Sequence, residues 1–310
     1  SEVMSLAVSR EDAYWAAGFQ NGRVKIWART NLSEARWNVK LQVPASFVRW
    51  HPKAAQVAVL SSRAGRLILC NLGTNTQLIR VRSPSAARYL CAAYDPTGGS
   101  IVVGCSDHRA LVFATGTGEL RFALPHEDQV LDVRFSPGGE RIATASKDGS
   151  VRIWDAATGV IVGRSLEHGN AVSRIDFLPG GQHLASGAGD GVLRVWNLAR
   201  QMPIYRDRGH RGAITSLVCA QDGKQLLSAG ADGQMRRHRL ISVNRNKMPW
   251  LSEIAEVVGG MRLDDERLLR PVSRERYWEL LQNVRAAEEG RVFSTWWDDS
   301  TNHNQGLRSR

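Results

Sequence analysis

The amino-acid sequence predicts an all-β protein that is built from a repeated unit. The segment DGSVRIWD (148–155) recurs as DGVLRVWN from residue 190 and as DGQMRRHR from residue 232. Weaker copies are NGRVKIWA from residue 21 and DHRALVFA from residue 107. The position of the tryptophan in this segment recurs every 41 to 43 residues, at Trp27, Cys70, Phe113, Trp154, Trp196 and His238. A fixed period of this length is the signature of a repeat architecture.

Each unit contains four short strands in the same order, and the fourth copy shows them most clearly. VLDVRFSP (130–137) alternates apolar and polar residues and ends at a proline turn, which predicts the first strand. RIATASKDG (141–149) predicts the second strand, which ends at an Asp-Gly turn. The third strand carries Trp154, and a polar turn then leads to a less regular fourth strand. Four short strands per period of about 42 residues predict one blade of a β-propeller.

Polar residues recur at fixed distances from the tryptophan position in the last three copies. A histidine stands 28 residues before it, a serine or threonine 10 residues before it, and an aspartate six residues before it. The three sets are His126, Thr144, Asp148 and Trp154; His168, Ser186, Asp190 and Trp196; and His210, Ser228 and Asp232 with His238 at the tryptophan position. The earlier copies retain less, namely Asp107 in the third and Asn21 with Trp27 in the first.

With the Gly209–His210 and Trp154–Asp155 dipeptides and the Asp-Gly turns, this pattern resembles the WD40 repeat family over residues 4–240. The resemblance implies a ring that most often has seven blades, of which six are visible here. It also implies that each polar set is a hydrogen-bonded tetrad, which ties the loop before the innermost strand to the turn between the second and third strands. His238 leaves the last link of the sixth tetrad without its usual donor.

Nothing in the sequence predicts a catalytic, cofactor or metal site. Ser, His and Asp within one unit resemble a hydrolase triad, but the same trio recurs at a fixed period in three units, which favours a structural role. No G-x-x-x-x-G-K-[ST], G-x-S-x-G or H-E-x-x-H motif is present. Four isolated cysteines in apolar runs indicate buried thiols in a reducing compartment, and we expect a cytoplasmic protein without a membrane segment.

The net charge of +11 arises within residues 1–240, because residues 241–310 carry 11 basic and 11 acidic side chains. We therefore expect a recognition module that binds a protein partner, or other domains of its own polypeptide, through the face where the histidine loops and aspartate turns emerge. The candidate contact residues are Arg63, Asp132, Lys147, Arg174 and Arg211. Two alternatives remain: binding of nucleic acid or an acidic partner by the basic surface, and a metal-dependent hydrolase with Asp132 in the central channel.

The sequence divides into a propeller over residues 1–243 and a tail over residues 244–310. The tail predicts a helix, a short hairpin in MRLDDERLLRPV (261–272) and a second helix that starts at Ser273, followed by Trp296 and Trp297 in a polar end. It is similar to the C-terminal extension of large bacterial WD40 proteins that carry a kinase or signal-transduction ATPase domain. This similarity implies a bacterial signalling protein.

Overall fold

The computed structural model describes residues 2–9, 13–63, 65–72, 76–240, 261–263 and 269–271. The chain divides into two units, Ser1–Leu240 and Ile241–Arg310. The first unit contains six antiparallel sheets in chain order, which confirms the predicted all-β fold of propeller blades.

The strands of the six blades follow one another without crossovers. Blade one contains β1 (Val3–Val8), β2 (Tyr14–Phe19), β3 (Arg23–Ala28) and β4 (Trp37–Lys40). Blade two contains β5 (Phe47–Trp50), β6 (Gln56–Ser61), β7 (Arg66–Asn71) and β8 (Thr76–Arg82). Blade three contains β9 (Tyr89–Tyr94), β10 (Ser100–Cys105), β11 (Arg109–Ala114) and β12 (Leu120–Pro125).

The second half of the ring repeats the same order. Blade four contains β13 (Val130–Phe135), β14 (Arg141–Ser146), β15 (Ser150–Asp155) and β16 (Leu166–Glu167). Blade five contains β17 (Val172–Phe177), β18 (His183–Ala188), β19 (Leu193–Asn197) and β20 (Met202–Asp207). Blade six contains β21 (Ile214–Cys219), β22 (Gln225–Gly230) and β23 (Met235–Arg239), and it has three strands within the described residues.

Tight turns join the strands where the sequence places Asp-Gly. In blade four the turn between β14 and β15 contains Asp148 and Gly149, and Gly149 has a φ of +89°. A side chain disfavours this left-handed conformation, whereas glycine adopts it without steric cost. The glycine of this recurring pair therefore sets the hairpin geometry that presents the preceding aspartate.

The core lies between the blades, because each sheet is apolar on both faces. Ile142 and Trp154 on one face of blade four pack against blade three. Ala143, Ala145 and Ile153 on its other face pack against blade five. Each blade therefore needs a neighbour on both sides to bury its apolar residues.

The first and last blades expose one such face each. On blade one, Leu6 is 63% exposed and Trp15 is 41% exposed. Trp15 pairs with Trp27 as Ile142 pairs with Trp154 in blade four, yet Ile142 at this equivalent position is buried. On blade six, Leu227 is 42% exposed and Met235 is 76% exposed. These two faces are where a further blade would pack in the seven-bladed ring that the sequence resemblance implies.

The second unit is described only at β24 (Met261–Leu263) and β25 (Leu269–Pro271), which pair antiparallel with Met261 opposite Pro271. These strands lie in the segment for which a hairpin was predicted. The two predicted helices, the pair Trp296–Trp297 and the predicted boundary between residues 243 and 244 lie outside the described residues.

Candidate partner-binding face

The loops that precede β13, β17 and β21 and the turns that carry Asp148, Asp190 and Asp232 emerge on one face of the propeller, which we call the His–Asp face. The three polar sets predicted from the sequence lie here. Their geometry decides which polar groups the fold has already used and which remain available for a partner.

Blade four contains the complete tetrad that the resemblance implies. The Trp154 indole N–H donates to Thr144 Oγ1 at 2.8 Å, and this hydroxyl lies 2.6 Å from His126 Nε2. His126 Nδ1 lies 3.1 Å from Asp148 Oδ2, which also accepts the backbone N–H of Glu127 at 3.0 Å. The histidine, the hydroxyl and the indole are buried, so each polar group obtains the partner that burial demands.

Burial also determines the charge of this tetrad. It lowers the pKa of His126 from 6.5 to about 4, against the opposing effect of the Asp148 carboxylate. For Asp148, partial burial acts to raise the pKa, but hydrogen bonds from Ser150 and Glu127 outweigh it and lower the pKa to about 2. At neutral pH the histidine is therefore neutral and the aspartate is charged.

The tetrad of blade five lacks one link. Ser186 Oγ accepts the Trp196 indole N–H at 2.7 Å and lies 2.6 Å from His168 Nε2, as in blade four. His168 Nδ1, however, is buried without a hydrogen-bond partner among the described residues, and Asp190 accepts the backbone N–H of Val192 instead. The residue after His168 is Gly169 with a φ of +77°, whereas Glu127 and Arg211 at the equivalent positions donate their N–H groups to the turn aspartate.

In blade six, His238 stands at the tryptophan position and contacts the serine hydroxyl of its tetrad. His238 Nε2 lies 2.8 Å from Ser228 Oγ, at the place of the indole N–H in blades four and five. Ser228 Oγ is also 2.7 Å from His210 Nε2, and His210 Nδ1 is 3.1 Å from Asp232 Oδ1. The imidazole of His238 thus takes the place of the indole beside Ser228, while its Nδ1 lies 3.0 Å from Asp207 Oδ2.

The five predicted contact residues have different environments. Arg63 and Arg211 are exposed and have no side-chain partner within the described residues. The Lys147 side chain is 55% exposed and its Nζ lies 4.0 Å from Asp128 Oδ2. Arg174 is half-buried and donates to the Ser173 carbonyl at 2.6 Å.

Asp132 differs from the expectation of an exposed contact residue, because it is only 4% exposed. Its Oδ1 accepts Arg134 Nη1 at 2.6 Å, and its Oδ2 accepts the backbone N–H of Ile175 in the next blade at 3.1 Å. The side chain therefore links β13 to β17. The same bonds occupy the one carboxylate on which the hydrolase alternative depended.

This type of link recurs around the ring and was missed in the sequence. Asp176 Oδ2 accepts the backbone N–H of Cys219 at 2.7 Å, and Ser5 Oγ accepts the N–H of Val48 at 3.2 Å. Each pair is 43 residues apart, as are Asp132 and Ile175. A polar residue on an innermost strand at one repeat distance from its partner is the signal that could have revealed them.

Three features of the described residues bear on the class of the protein: metal-binding clusters, membrane-spanning helices and cysteine pairing. Within the described part of the chain, no three His, Cys, Asp or Glu side chains lie close enough together to hold a metal ion. No helix in that part has the length and hydrophobicity to span a bilayer. None of the four cysteines, all of which are described, forms a disulfide, and Cys70, Cys91 and Cys105 are buried as predicted.

Comparison with known proteins identifies the repeats. Residues 118–155, 161–197 and 201–237 match the family model described as "WD domain, G-beta repeat". The chain is 28% identical over 172 residues to the Periodic tryptophan protein 2 homolog of Dictyostelium discoideum, which covers 53% of this chain and 18% of that protein. It is 28% identical over 142 residues to the Serine-threonine kinase receptor-associated protein of Gallus gallus, covering 45% of this chain and 39% of that protein.

Actin-interacting protein 1 of Drosophila melanogaster is 26% identical over 159 residues, which cover 48% of this chain and 25% of that protein. The chain thus matches well under half the length of each of these relatives. All three are eukaryotic, so they do not support the predicted similarity of the tail to bacterial kinase-linked proteins.

A solved structure of the computationally designed Ika8 protein superposes with a TM-score of 0.66 at 21% identity, covering 77% of this chain and 71% of that chain. At this identity the likeness shows the fold alone. The six successive sheets show a β-propeller fold, and three of its repeats, within residues 118–237, match the WD40 repeat model.

Proposed function

We propose that the propeller is a non-catalytic module that binds a protein partner through its His–Asp face. WD40 repeats imply a protein-interaction scaffold. One observation supports the choice of this face. The polar side chains of the tetrads already form hydrogen bonds within the fold, whereas the cations beside them remain available to bind a partner. Arg63 and Arg211 are exposed without side-chain partners within the described residues, and Lys147 has one distant carboxylate neighbour.

The charges on this face favour a partner with acidic groups. Arg63 and Arg211 have no side-chain partner within the described residues, and Asp128, the carboxylate nearest Lys147, lies within 4.0 Å of both Lys147 Nζ and His108 Nε2. Unpaired surface cations speed the association of an oppositely charged partner and select against basic ones. The names of two relatives, a receptor-associated protein and an actin-interacting protein, describe proteins that associate with other proteins.

The exposed apolar faces of blades one and six support a further part of the proposal. Contiguous exposed apolar surface of this kind marks a site of association. In the other interfaces the equivalent residues are buried by a neighbouring sheet, as Ile142 and Ile153 are. We include in the proposal a seventh sheet that packs between blades six and one, and a place for the module in a larger cytoplasmic signalling protein.

A capture experiment tests the proposed face. The whole chain serves as bait in three forms: wild type, the double variant Lys147→Glu/Arg211→Glu, and Arg121→Glu as a control. Arg121 is an exposed arginine on the outermost strand of blade three, away from the His–Asp face. We expect the wild type and the control to retain the same partner and the double variant to lose it.

Equal capture by all three forms would exclude the His–Asp face. The alternative of nucleic-acid binding rests on the exposed Arg206, Arg208 and Arg236 at the edge of blades five and six. Burial and then Arg206 lower the pKa of the neighbouring Arg194, as expected for crowded guanidinium groups. Loss of capture after nuclease treatment, with steep dependence on salt, would favour this alternative.

A further inference from the structure

The innermost strands enclose a cavity of about 600 Å³ at the end of the central channel where these strands finish, on the side away from the His–Asp loops. The turns with Pro52, Pro96 and Pro137 rim this channel cavity. Arg49, Arg134 and other side chains of blades one to five line its wall. A volume of this size is typical of small-molecule sites.

One ladder position of the innermost strands supplies the charged residues of the wall. Arg49 pairs with Ala58, Arg134 pairs with Ala143, and Asp176 pairs with Ala185. Since each of these alanines lies on the second strand of its blade at the same level, the three charged side chains enter the cavity at one height. Ala7 and Ala93 occupy the same position in blades one and three and leave space there.

Neither arginine uses all of its donors. Arg49 donates from Nε to the Ala92 carbonyl at 3.2 Å and from Nη1 to the Val48 carbonyl at 3.0 Å. Arg134 donates from Nη1 to Asp132 Oδ1 at 2.6 Å and to the Val133 carbonyl at 2.8 Å. Within the described residues, the Nη2 group of each arginine has no hydrogen-bond acceptor, and both half-buried side chains line the open space of the cavity, where a ligand can reach these donors.

The carboxylates nearby pair with one of the two cations and leave the other without an ion pair. Asp132 Oδ1 accepts Arg134 Nη1 and Asp176 Oδ1 lies 3.9 Å from Arg134 Nε, while the other oxygen of each accepts a backbone N–H of the next blade. Asp95 also lines the cavity, and its Oδ1 accepts the backbone N–H groups of Gly98 and Gly99. Arg49 has no carboxylate within ion-pair distance among the described residues. Burial and then the charge of Arg134 lower the pKa of Arg49.

We propose that the channel cavity binds an oxyanion, a carboxylate or phosphate group of a small organic ligand, between the guanidinium groups of Arg49 and Arg134. The anion accepts the unused Nη2 donors and relieves the repulsion between the two cations. Trp50, Tyr94 and Phe135 also line the cavity and offer apolar contact to the organic part of the ligand. The site lies outside the His–Asp face, so the anion-binding proposal does not depend on the proposed partner binding.

Calorimetric titration of the whole chain with inorganic phosphate, phenyl phosphate and benzoate, at constant ionic strength, tests the proposal. We expect phenyl phosphate to bind more tightly than inorganic phosphate, because it fills the apolar part of the cavity. Comparison of benzoate with phenyl phosphate distinguishes recognition of a carboxylate from recognition of a phosphate. Arg49→Gln should weaken binding at least about tenfold, since it removes a charged hydrogen bond. The control Arg121→Gln removes an exposed arginine on the outermost strand of blade three and should bind like the wild type.

Thermal unfolding provides a second readout that separates loss of the site from loss of the fold. Without an anion, Arg49→Gln should still unfold in one transition, at a temperature close to that of the wild type, because Arg49 is half-buried and its lost hydrogen bonds go to two carbonyls at the cavity wall. With phenyl phosphate, the wild type should gain thermal stability and Arg49→Gln should not. Absence of binding to all three anions, or equal binding by the wild type and Arg49→Gln, would overturn the proposal.

Discussion

The unequal tetrads of blades four and five predict unequal effects of the same substitution. Asp148→Ala removes a carboxylate that accepts hydrogen bonds from His126 Nδ1 and from the backbone N–H groups of Glu127 and Ser150. Asp190→Ala removes a carboxylate that accepts one backbone N–H, that of Val192. Both substitutions change an aspartate to alanine before glycine in equivalent turns, so their effects on the unfolded chain are similar and cancel in the comparison.

The magnitude follows from the number and burial of the lost bonds. In blade four, the buried Nδ1 of His126 loses its carboxylate acceptor, which costs about 1–3 kcal/mol, and one exposed and one partly buried backbone bond add about 0.5 kcal/mol each. In blade five, the single lost turn bond costs about 0.5–1 kcal/mol. We therefore expect Asp148→Ala to destabilise the protein by about 2 kcal/mol more than Asp190→Ala.

Equilibrium unfolding in urea measures this difference. With a dependence on urea of about 3 kcal/mol per molar, typical of a large domain, 2 kcal/mol separates the two unfolding midpoints by about 0.7 M. Equal midpoints would refute the argument, because they would mean that Asp190 contributes to its tetrad as much as Asp148 does. A larger loss for Asp190→Ala would refute it more strongly.

Two further predictions concern pH and the exposed sheet faces. Burial, followed by the charges of Arg194 and Arg206, lowers the pKa of His168 from 6.5 to about 3, so the fold stabilises the neutral ring. Its contribution is complete above pH 6.5 and is lost as the pH falls, by about 2 kcal/mol between pH 8 and pH 5; the unfolding midpoint of His168→Asn should therefore depend less on pH than that of the wild type. Met235→Glu tests the proposed seventh sheet: on the face as it is exposed in the described residues it should change stability by less than about 0.5 kcal/mol, whereas beneath a seventh sheet it should cost several kcal/mol, as Leu193→Glu should at the equivalent buried position. A small loss for Met235→Glu in urea unfolding would therefore contradict the seventh sheet.

Much of the fold could be predicted because each repeat is a local unit. The alternation in VLDVRFSP, the Asp-Gly turns and the period of 41 to 43 residues predict strand order and blade boundaries without knowledge of long-range contacts. The tetrad of blade four follows in the same way, because His126, Thr144, Asp148 and Trp154 lie within one period.

The candidate face was predictable only in part. Its exposed cations, Lys147 among them, could be located because turn positions next to Asp148 face solvent. The burial of Asp132 could not be predicted, because its partner is a backbone N–H in the next blade and a strand pattern does not report contacts between sheets. The missing link at His168 depends on the conformation of Gly169, a detail of one loop that no spacing encodes.

The sequence by itself determined the blade architecture, the repeat length and the identity of the tetrad residues, since these depend on periodicity and turn chemistry within about 42 residues. Only the tertiary structure decided which tetrads are complete, which charged side chains line the channel and which sheet faces remain exposed. Those properties depend on how neighbouring blades pack: Arg49 and Arg134 are 85 residues apart in the sequence and meet only because the ring brings blades two and four around one cavity.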